Sequence, residues 1–425
     1  MKHIILCCVC IAFGLQLQAQ EILKISREEA ETMFLQNNLL LISEKLHIES
    51  QKAEVIQAKV WPNPEFSISE INLWRTTGVE PSPPFWGNFG RNQQIAFELN
   101  QLVQTAGKRK KLIALEQVDV SKAEQYFEDL LRGLKLELRN QLTDLQYNQQ
   151  AIKVHQNLIE NISKLTNAYK NQLDKGNISK AEYIRLKAQE MEIQKEILNL
   201  TRESNEIQKE LKLLLRVNPN ISIEITDDGF VKNTQPYEDV LIEQITENAK
   251  ENRPDYKLAL LEEEYSNKLL SYEKAQRIPD LTFGINYDRN GNTMLDFVGF
   301  GVSFDLPVFN RNKGNITKAK LQIENAKVQK EQTVLTIENE IFLAYKSLQQ
   351  AIDFVKNIEP DYENDLDLLL ENYTKNFTSK NVSMLEYFDF MDAYLENKKI
   401  ILEAQKDVNQ KAEELNYSLG KDFNN

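Results

Sequence analysis

The chain repeats itself. A stretch running from Tyr169 through Gly176-Asn177-Ile178-Ser179 to Glu182 and Tyr183 recurs 204 residues later, from Tyr373 through Lys380-Asn381-Val382-Ser383 to Glu386 and Tyr387. The same offset pairs Leu211 with Leu415 and Leu215 with Leu419. Upstream, Ala58 to Pro62 matches Ala275 to Pro279 at an offset of 217, and Gln101-Leu102-Val103 matches Leu306-Pro307-Val308 at 205. The fall from 217 to 205 puts about twelve extra residues between Pro62 and Leu102. Solenoid units run roughly 20–50 residues, far below this period. The chain is a duplicated half-protein, with one repeat over 20–221 and a second over 222–425.

Each half carries the same order: a helix, two short strands, then very long helices. Residues 26–59 and 237–277 read as the leading helices. Residues 108–175 and 177–216 hold no proline, and only Gly133 interrupts the first of them. Residues 315–359 and 361–419 hold neither glycine nor proline, so Pro360 is the expected kink or break. Met384, Phe388, Met391, Leu395 and Leu402 keep the 4-3 spacing of a coiled-coil seam, broken only by Lys398. At ~1.5 Å per residue the helix from Lys108 would run on the order of 100 Å. Its surface is densely charged, which keeps it in water.

Between the helices the period changes to two. Val298, Phe300, Val302, Phe304 and Leu306 alternate with small and polar residues, as do Leu281, Phe283, Ile285 and Tyr287. The first half gives Ile95, Phe97 and Leu99 against Gln94, Ala96 and Glu98. Phe66 and Ile68 begin an alternation that slips at Glu70 and resumes at Ile71 and Leu73, as at a bulge. Apolar-out and polar-in alternation of this length suits a membrane β-barrel strand, or else a small β-subdomain in water. Trp61, Trp74 and Trp86 fall within one hairpin and its edges, where a girdle at the membrane interface would put them. Four strands cannot close a barrel, and lipid tolerates no open edge. Other copies must complete it; two to four are plausible, and three give twelve strands.

Composition narrows the function. The net charge is -13, the wrong sign for a nucleic-acid partner. The three cysteines, Cys7, Cys8 and Cys10, lie in an opening segment that reads as a secretory signal over 1–19. Lys2 supplies its positive start, Ile4 to Leu15 its apolar core and Leu17-Gln18-Ala19 its cleavage site. Cys10 sits inside that core, not after it, so no lipid anchor is expected. The mature chain then has no cysteine, and His47 and His155 have no second ligand implied; no metal site and no cofactor is expected. No catalytic motif and no phosphate loop occurs, so the chain is not read as an enzyme. Two functions remain open: a conduit, and an exported coiled-coil scaffold that never enters a membrane.

Two motifs carry a family resemblance. They are Phe304-Asp305-Leu306-Pro307-Val308-Phe309-Asn310-Arg311-Asn312-Lys313-Gly314 and Gln101-Leu102-Val103-Gln104-Thr105-Ala106-Gly107-Lys108-Arg109, together with the paired motifs at 176–179 and 380–383. With these the whole mature chain resembles the TolC-like outer-membrane efflux family, and the first motif is most similar to its CzcC-type heavy-metal cation branch. The resemblance implies a homotrimer: a twelve-stranded outer-membrane barrel continued by a helical tunnel through the periplasm. It implies docking to a periplasmic adaptor protein and to an inner-membrane pump of the resistance-nodulation-division type. Metal-branch members often carry a lipidated cysteine that this chain lacks. Lys380 stands where the family often has glycine, so the second tip is expected to turn differently.

Site expectations follow from both readings. The strand-to-strand loop over 75–93 should face outside the cell. Lys108, Arg109, Lys110 and Lys111, with Arg311 and Lys313 in the second half, either face anionic headgroups or pair with neighbouring acids. The helix reversals at 174–179 and 379–383 should close the periplasmic end. Glu386 and Asp389 share a helix face, and the offset maps them to Glu182 and Arg185. Arg185 could then reach Asp389 or Glu386 across a boundary between copies. The resemblance implies that acids just past the turns line a cation-favouring constriction. It also implies that Lys175, Gly176, Asn177, Ile178, Ser179, Lys380, Asn381, Val382 and Ser383 meet the adaptor.

Overall fold

The structure, a computed structural model, describes residues 21–69, 71, 94–226, 230, 234–237, 241–289 and 296–423. The leader over 1–19, Trp74, Trp86, Glu70, Leu73 and the loop over 75–93 lie outside them. The described chain is mostly helical. The first half runs β1 (Ile22–Ile25), α1 (Arg27–Asn37), α2 (Leu39–Lys59), β2 (Glu65–Ser69), β3 (Ile95–Val103), α3 (Lys108–Asp174) and α4 (Lys180–Leu215). The second runs β4 (Ser222–Ile225), a 3-10 turn at Gln235–Tyr237, α5 (Ile242–Asn252), α6 (Pro254–Ala275), β5 (Leu281–Arg289), β6 (Asp296–Ser303), α7 (Lys313–Lys356), α8 (Tyr362–Thr378) and α9 (Met384–Leu419). In both halves a short strand, two helices and two strands precede long helices, two in the first half and three in the second. Strand β6 stops at Ser303, short of the alternation ending at Leu306.

Both leading helices are broken, against expectation, and at related places. In the second half Pro254 pushes Arg253 into extended backbone, φ -70° and ψ 123°. In the first half no proline is present. There Asn38 ends α1 and caps α2, its Oδ1 accepting from the backbone N–H of Leu40 and Leu41 at 3.0 and 3.1 Å. Pro360 does break the second arm, between α7 and α8, whereas proline-free α3 runs unbroken through Gly133. The parallel pair β1–β4 was not foreseen. Gln208 locks it from α4, donating to the Ile223 carbonyl at 2.6 Å and accepting from its N–H at 2.9 Å.

The compact units do not follow the repeat boundary. One takes residues up to 44, 127–254 and 335 onward; the other takes 45–126 and 255–334. In the first, Phe34, Leu138, Leu142, Leu145, Leu211, Leu215 and Ile223 form a core of α1, α3, α4 and β4. Arg139 lies in the same unit and gathers Glu31, Glu413 and Asp422 within 2.7 Å. Lys398, the charge that interrupts the α9 seam, is buried there with its ammonium 3.0 Å from both Glu363 and Asp367. The second unit holds the four-stranded sheet.

Candidate functional site

That sheet has the order β2-β3-β5-β6, with every pairing antiparallel. Its register sorts side chains by face, because alternate residues point to opposite sides. Across one face run the rows Ile68–Phe97–Tyr287–Val298 and Phe66–Leu99–Ile285–Phe300. Across the other run Ser67–Glu98–Asn286–Gly299 and Glu65–Asn100–Gly284–Gly301. The apolar face is bare: Phe300 is 80% exposed, Phe66 61% and Val298 59%. The alternation was read from sequence; the acids it collects, Glu65, Glu98 and Asp288, were not singled out, although the period of two pointed to their side.

Glycine keeps the polar face open. A Cβ on Gly284 would stand 2.6 Å from the Asn100 Oδ1, and one on Gly299 would strike the Asn286 amide. Both asparagines therefore lie across a neighbouring strand's glycine, and Asn100 donates to Glu98 at 3.0 Å. Among the described residues, strands β2 and β6 are each paired on one side only, which leaves two open edges. No helix among the described residues is long and apolar enough to cross a membrane.

The cations below the strands are not alike. Lys108 takes the acid-pairing alternative: it is buried, with its ammonium 2.8 Å from Asp280. Asp280 also accepts from the Thr105 N–H at 2.8 Å, so one carboxylate pins the start of α3 to the start of β5. Arg109 stacks over half-exposed Trp61 at 4.1 Å and donates to the Lys59 carbonyl. Lys111 donates to the Ala106 carbonyl at 3.1 Å, while Lys110 and Lys313 are exposed. Arg311 donates to the Pro307 carbonyl at 3.3 Å.

The helix reversals are built alike, contrary to the expectation for Lys380. Gly176 has φ +75° and Lys380 φ +60°. The Asn177 N–H reaches the Gln172 carbonyl at 2.9 Å, and the Asn381 N–H reaches the Asn376 carbonyl at the same distance. A lysine adopts the left-handed turn here because the pair of backbone bonds and the cap beyond it hold the geometry. Ser179 and Ser383 cap α4 and α9 in matching capping boxes with Glu182 and Glu386. Each glutamate accepts its serine's N–H and hydroxyl within 2.9 Å. Those bonds hold both carboxyls below the usual range, and Lys380 adds a smaller attraction at Glu182. Their first duty is thus to start a helix.

Within the chain the hairpins lie side by side. Tyr169 of α3 stacks on Phe377 of α8 at 5.8 Å, and Phe377 stacks on fully buried Tyr387 of α9 at 4.6 Å. Gln189 of α4 donates to Asp392 of α9 at 3.1 Å. Arg185 and Asp389 are exposed, and among the described residues neither has an ion-pair partner in its own chain. Lys175, Gly176, Asn177, Ser179, Lys380, Asn381 and Ser383 are exposed, and Ile178 and Val382 half-buried.

No family model matches the sequence. The cobalt-zinc-cadmium resistance protein CzcC of Cupriavidus metallidurans is 19% identical over 307 residues, spanning 71% of this chain and 68% of that protein. CusC, solved in connection with folding and transmembrane channel formation, superposes with a TM-score of 0.73 at 18% identity, covering 96% of both chains. The outer-membrane channel CmeC of Campylobacter jejuni gives 0.73 at 15% identity, covering 96% of this chain and 90% of that one. The fold is that of these membrane channels.

Proposed function

We propose that this chain, TolC-like in fold, is the outer-membrane channel component of a tripartite efflux system, a passive conduit from periplasm to exterior for metal cations or other small solutes. The observation that carries the reading is the four-stranded sheet, bare and apolar on one face, acidic and glycine-smoothed on the other, and open at both edges. In water such a face is an aggregation hazard. In lipid it is the required surface, provided the edges are closed by further copies. An exported scaffold would leave that face without a purpose.

Three copies would give twelve strands, and α4 supports assembly with a second feature. Ile184, Met191 and Leu198 sit seven residues apart and are 52%, 59% and 48% exposed. Their counterparts in the other repeat, Phe388, Leu395 and Leu402, pack inside the chain. The seam that α9 uses internally is left over on α4 for a neighbour, as in a ring that alternates the two halves. The homotrimer, a tunnel in the periplasm and contact between the exposed tips and an adaptor complete the proposal, with a proton-driven resistance-nodulation-division pump supplying the energy. At the tips Arg185 and Asp389 are the charges left over for gating, since Glu182 and Glu386 are engaged as caps. Purified protein should require detergent, run as a heat-modifiable oligomer and conduct ions in a planar bilayer. A water-soluble rod without conductance would remove the proposal.

A further inference from the structure

We propose that a basic pocket at the end of α6 binds the phosphate headgroup of a membrane phospholipid; the proposal rests on the membrane reading of the adjoining sheet. Lys274 in the last turn of α6, Arg277 just beyond it and Arg311 line a cavity of about 480 Å³ together with Ile278 and Pro307. The chain carries a net charge of -13, yet among the described residues none of these three cations has a carboxylate partner. Glu273, adjacent in sequence, is taken up by Asn312, whose Nδ2 lies 2.5 Å from its carboxylate and 2.9 Å from its carbonyl. Three like charges facing one cavity repel each other unless an anion joins them.

The pocket is built by the turn. Asn312 adopts φ +54°, and the Asn310 side chain accepts its N–H at 3.0 Å. Through Asn312 this turn is tied to the end of α6, which holds Arg311 across from Lys274 and Arg277. Arg311 gives one N–H to the Pro307 carbonyl, leaving the rest of its guanidinium for a ligand. Arginine and lysine converging on a cavity suit a phosphate oxygen set. A soluble anion would not explain the flank: Leu306 is 73% exposed and Phe309 100%, with Val308 between them. An acyl chain beside the phosphate would cover that surface. The repeat supplies an internal comparison, since the equivalent first-half positions are Gln57, Val60 and Ala106. The cluster is thus no by-product of the shared turn.

Native mass spectrometry of the full-length, delipidated protein tests this with phosphatidylglycerol, inorganic phosphate and diacylglycerol as probes. The wild type should retain phosphatidylglycerol, not diacylglycerol, and millimolar phosphate should not displace it. Combining Lys274→Gln, Arg277→Gln and Arg311→Gln should weaken retention about 100-fold, roughly fivefold per cation. Combining Lys318→Gln, Lys320→Gln and Lys327→Gln removes the same charge elsewhere and should change little. If the triple pocket variant does not assemble, Arg277→Gln and Arg311→Gln singly should each show the fivefold loss. Wild-type retention by the pocket variants, or phosphate binding as tight as phospholipid, overturns the proposal. A wild type that conducts while its pocket variants keep their lipid removes the pocket alone. One that neither inserts nor retains lipid removes the channel reading as well.

Discussion

Arg253 donates its Nη1 to the carbonyl oxygen of Ser418 at 3.0 Å, closing the last turn of α9 with the residue that breaks the leading helix of the second half. The first half repeats the device with other chemistry: Asn38 Nδ2 donates to the Leu214 carbonyl at 3.0 Å, and Leu214 and Ser418 are 204 residues apart. In each half, the break in the leading helix supplies a donor for an orphan carbonyl at the far end of the repeat. Arg253 also lies 2.7 Å from a Glu340 oxygen, close enough to pair although not aligned as a hydrogen bond.

The two helix ends nevertheless predict opposite mutational signs. Arg216 and Gly420 both take left-handed backbone, φ +56° and +76°. A Cβ on Gly420 would lie 3.1 Å from the backbone of Arg253, so Gly420→Ala should cost about 1–3 kcal/mol. Arg216→Gly should instead gain about 0.5–1 kcal/mol, and exposed Lys380→Gly about the same. Melting temperatures of the three variants against wild type check the signs.

Acid should release the C-terminal segment. Hydrogen bonds from Arg139, and then from Lys135, outweigh burial and lower the Asp422 carboxyl from 3.8 to about 2. A depressed carboxylate contributes stability that is complete above its unfolded value and lost as pH falls toward 2. Asp422→Asn should therefore cost about 1–2 kcal/mol at neutral pH, allowing for partial exposure. The gap between variant and wild type should close between pH 4 and pH 2 in an acid titration of stability.

Lys398 should be more costly to orphan than to replace. Glu363→Ala with Asp367→Ala leaves a buried ammonium without either carboxylate, a loss of about 3–5 kcal/mol by analogy with other broken buried pairs. Lys398→Met keeps the volume, removes the charge and restores the apolar seam, so it should be close to neutral. Chemical denaturation of both variants decides the order.

How much of this was legible in advance depends on the range of the determining contact. The tip reversals were readable because a glycine stop such as Gly176 between two long helical patterns acts within a few residues of itself. The sheet was readable because a period of two is written locally. Asn38 gave no such sign, since its donor is used on a carbonyl 176 positions away. Pro254 did mark the second break, yet the helical pattern on either side outweighed it. β1 and β4 are four residues each, too short for periodicity, and they exist because Gln208 and each other supply their partners. Lys398 was visible as an interruption, but its two acids lie on a different helix. The three cations of the α6 pocket come together only once Asn312 folds the turn back.

The bare face of the sheet predicts an insertion defect. Phe300 is the most exposed residue of its row, opposite Ile285. Phe300→Arg should cost up to ~2–4 kcal/mol if the position meets mid-bilayer. Asn286→Asp, on the other face, should insert normally. Recovery of heat-modifiable oligomer from outer-membrane fractions separates the two, and equal recovery would reverse the face assignment.

The last prediction concerns the tips. Arg185 and Asp389 occupy positions offset by 204 residues, lie one turn past matching caps and have opposite charge. In a ring that alternates the two hairpins, each Arg185 would face an Asp389 across a boundary between copies. Exposed pairs contribute only ~0.2–1 kcal/mol each, but a ring repeats the contact. Arg185→Glu should turn attraction into repulsion and raise the closed-state conductance of a planar bilayer. Asp389→Ala should weaken both closure and the preference for cations, whereas Glu386→Ala should chiefly fray the start of α9, because that carboxylate is committed to Ser383. Helicity loss in Glu386→Ala without a selectivity change, beside a selectivity change in Asp389→Ala, is the expected pattern. Identical currents and identical reversal potentials in Arg185→Glu, Asp389→Ala and wild type would eliminate the pair as a gate, with the channel itself unaffected.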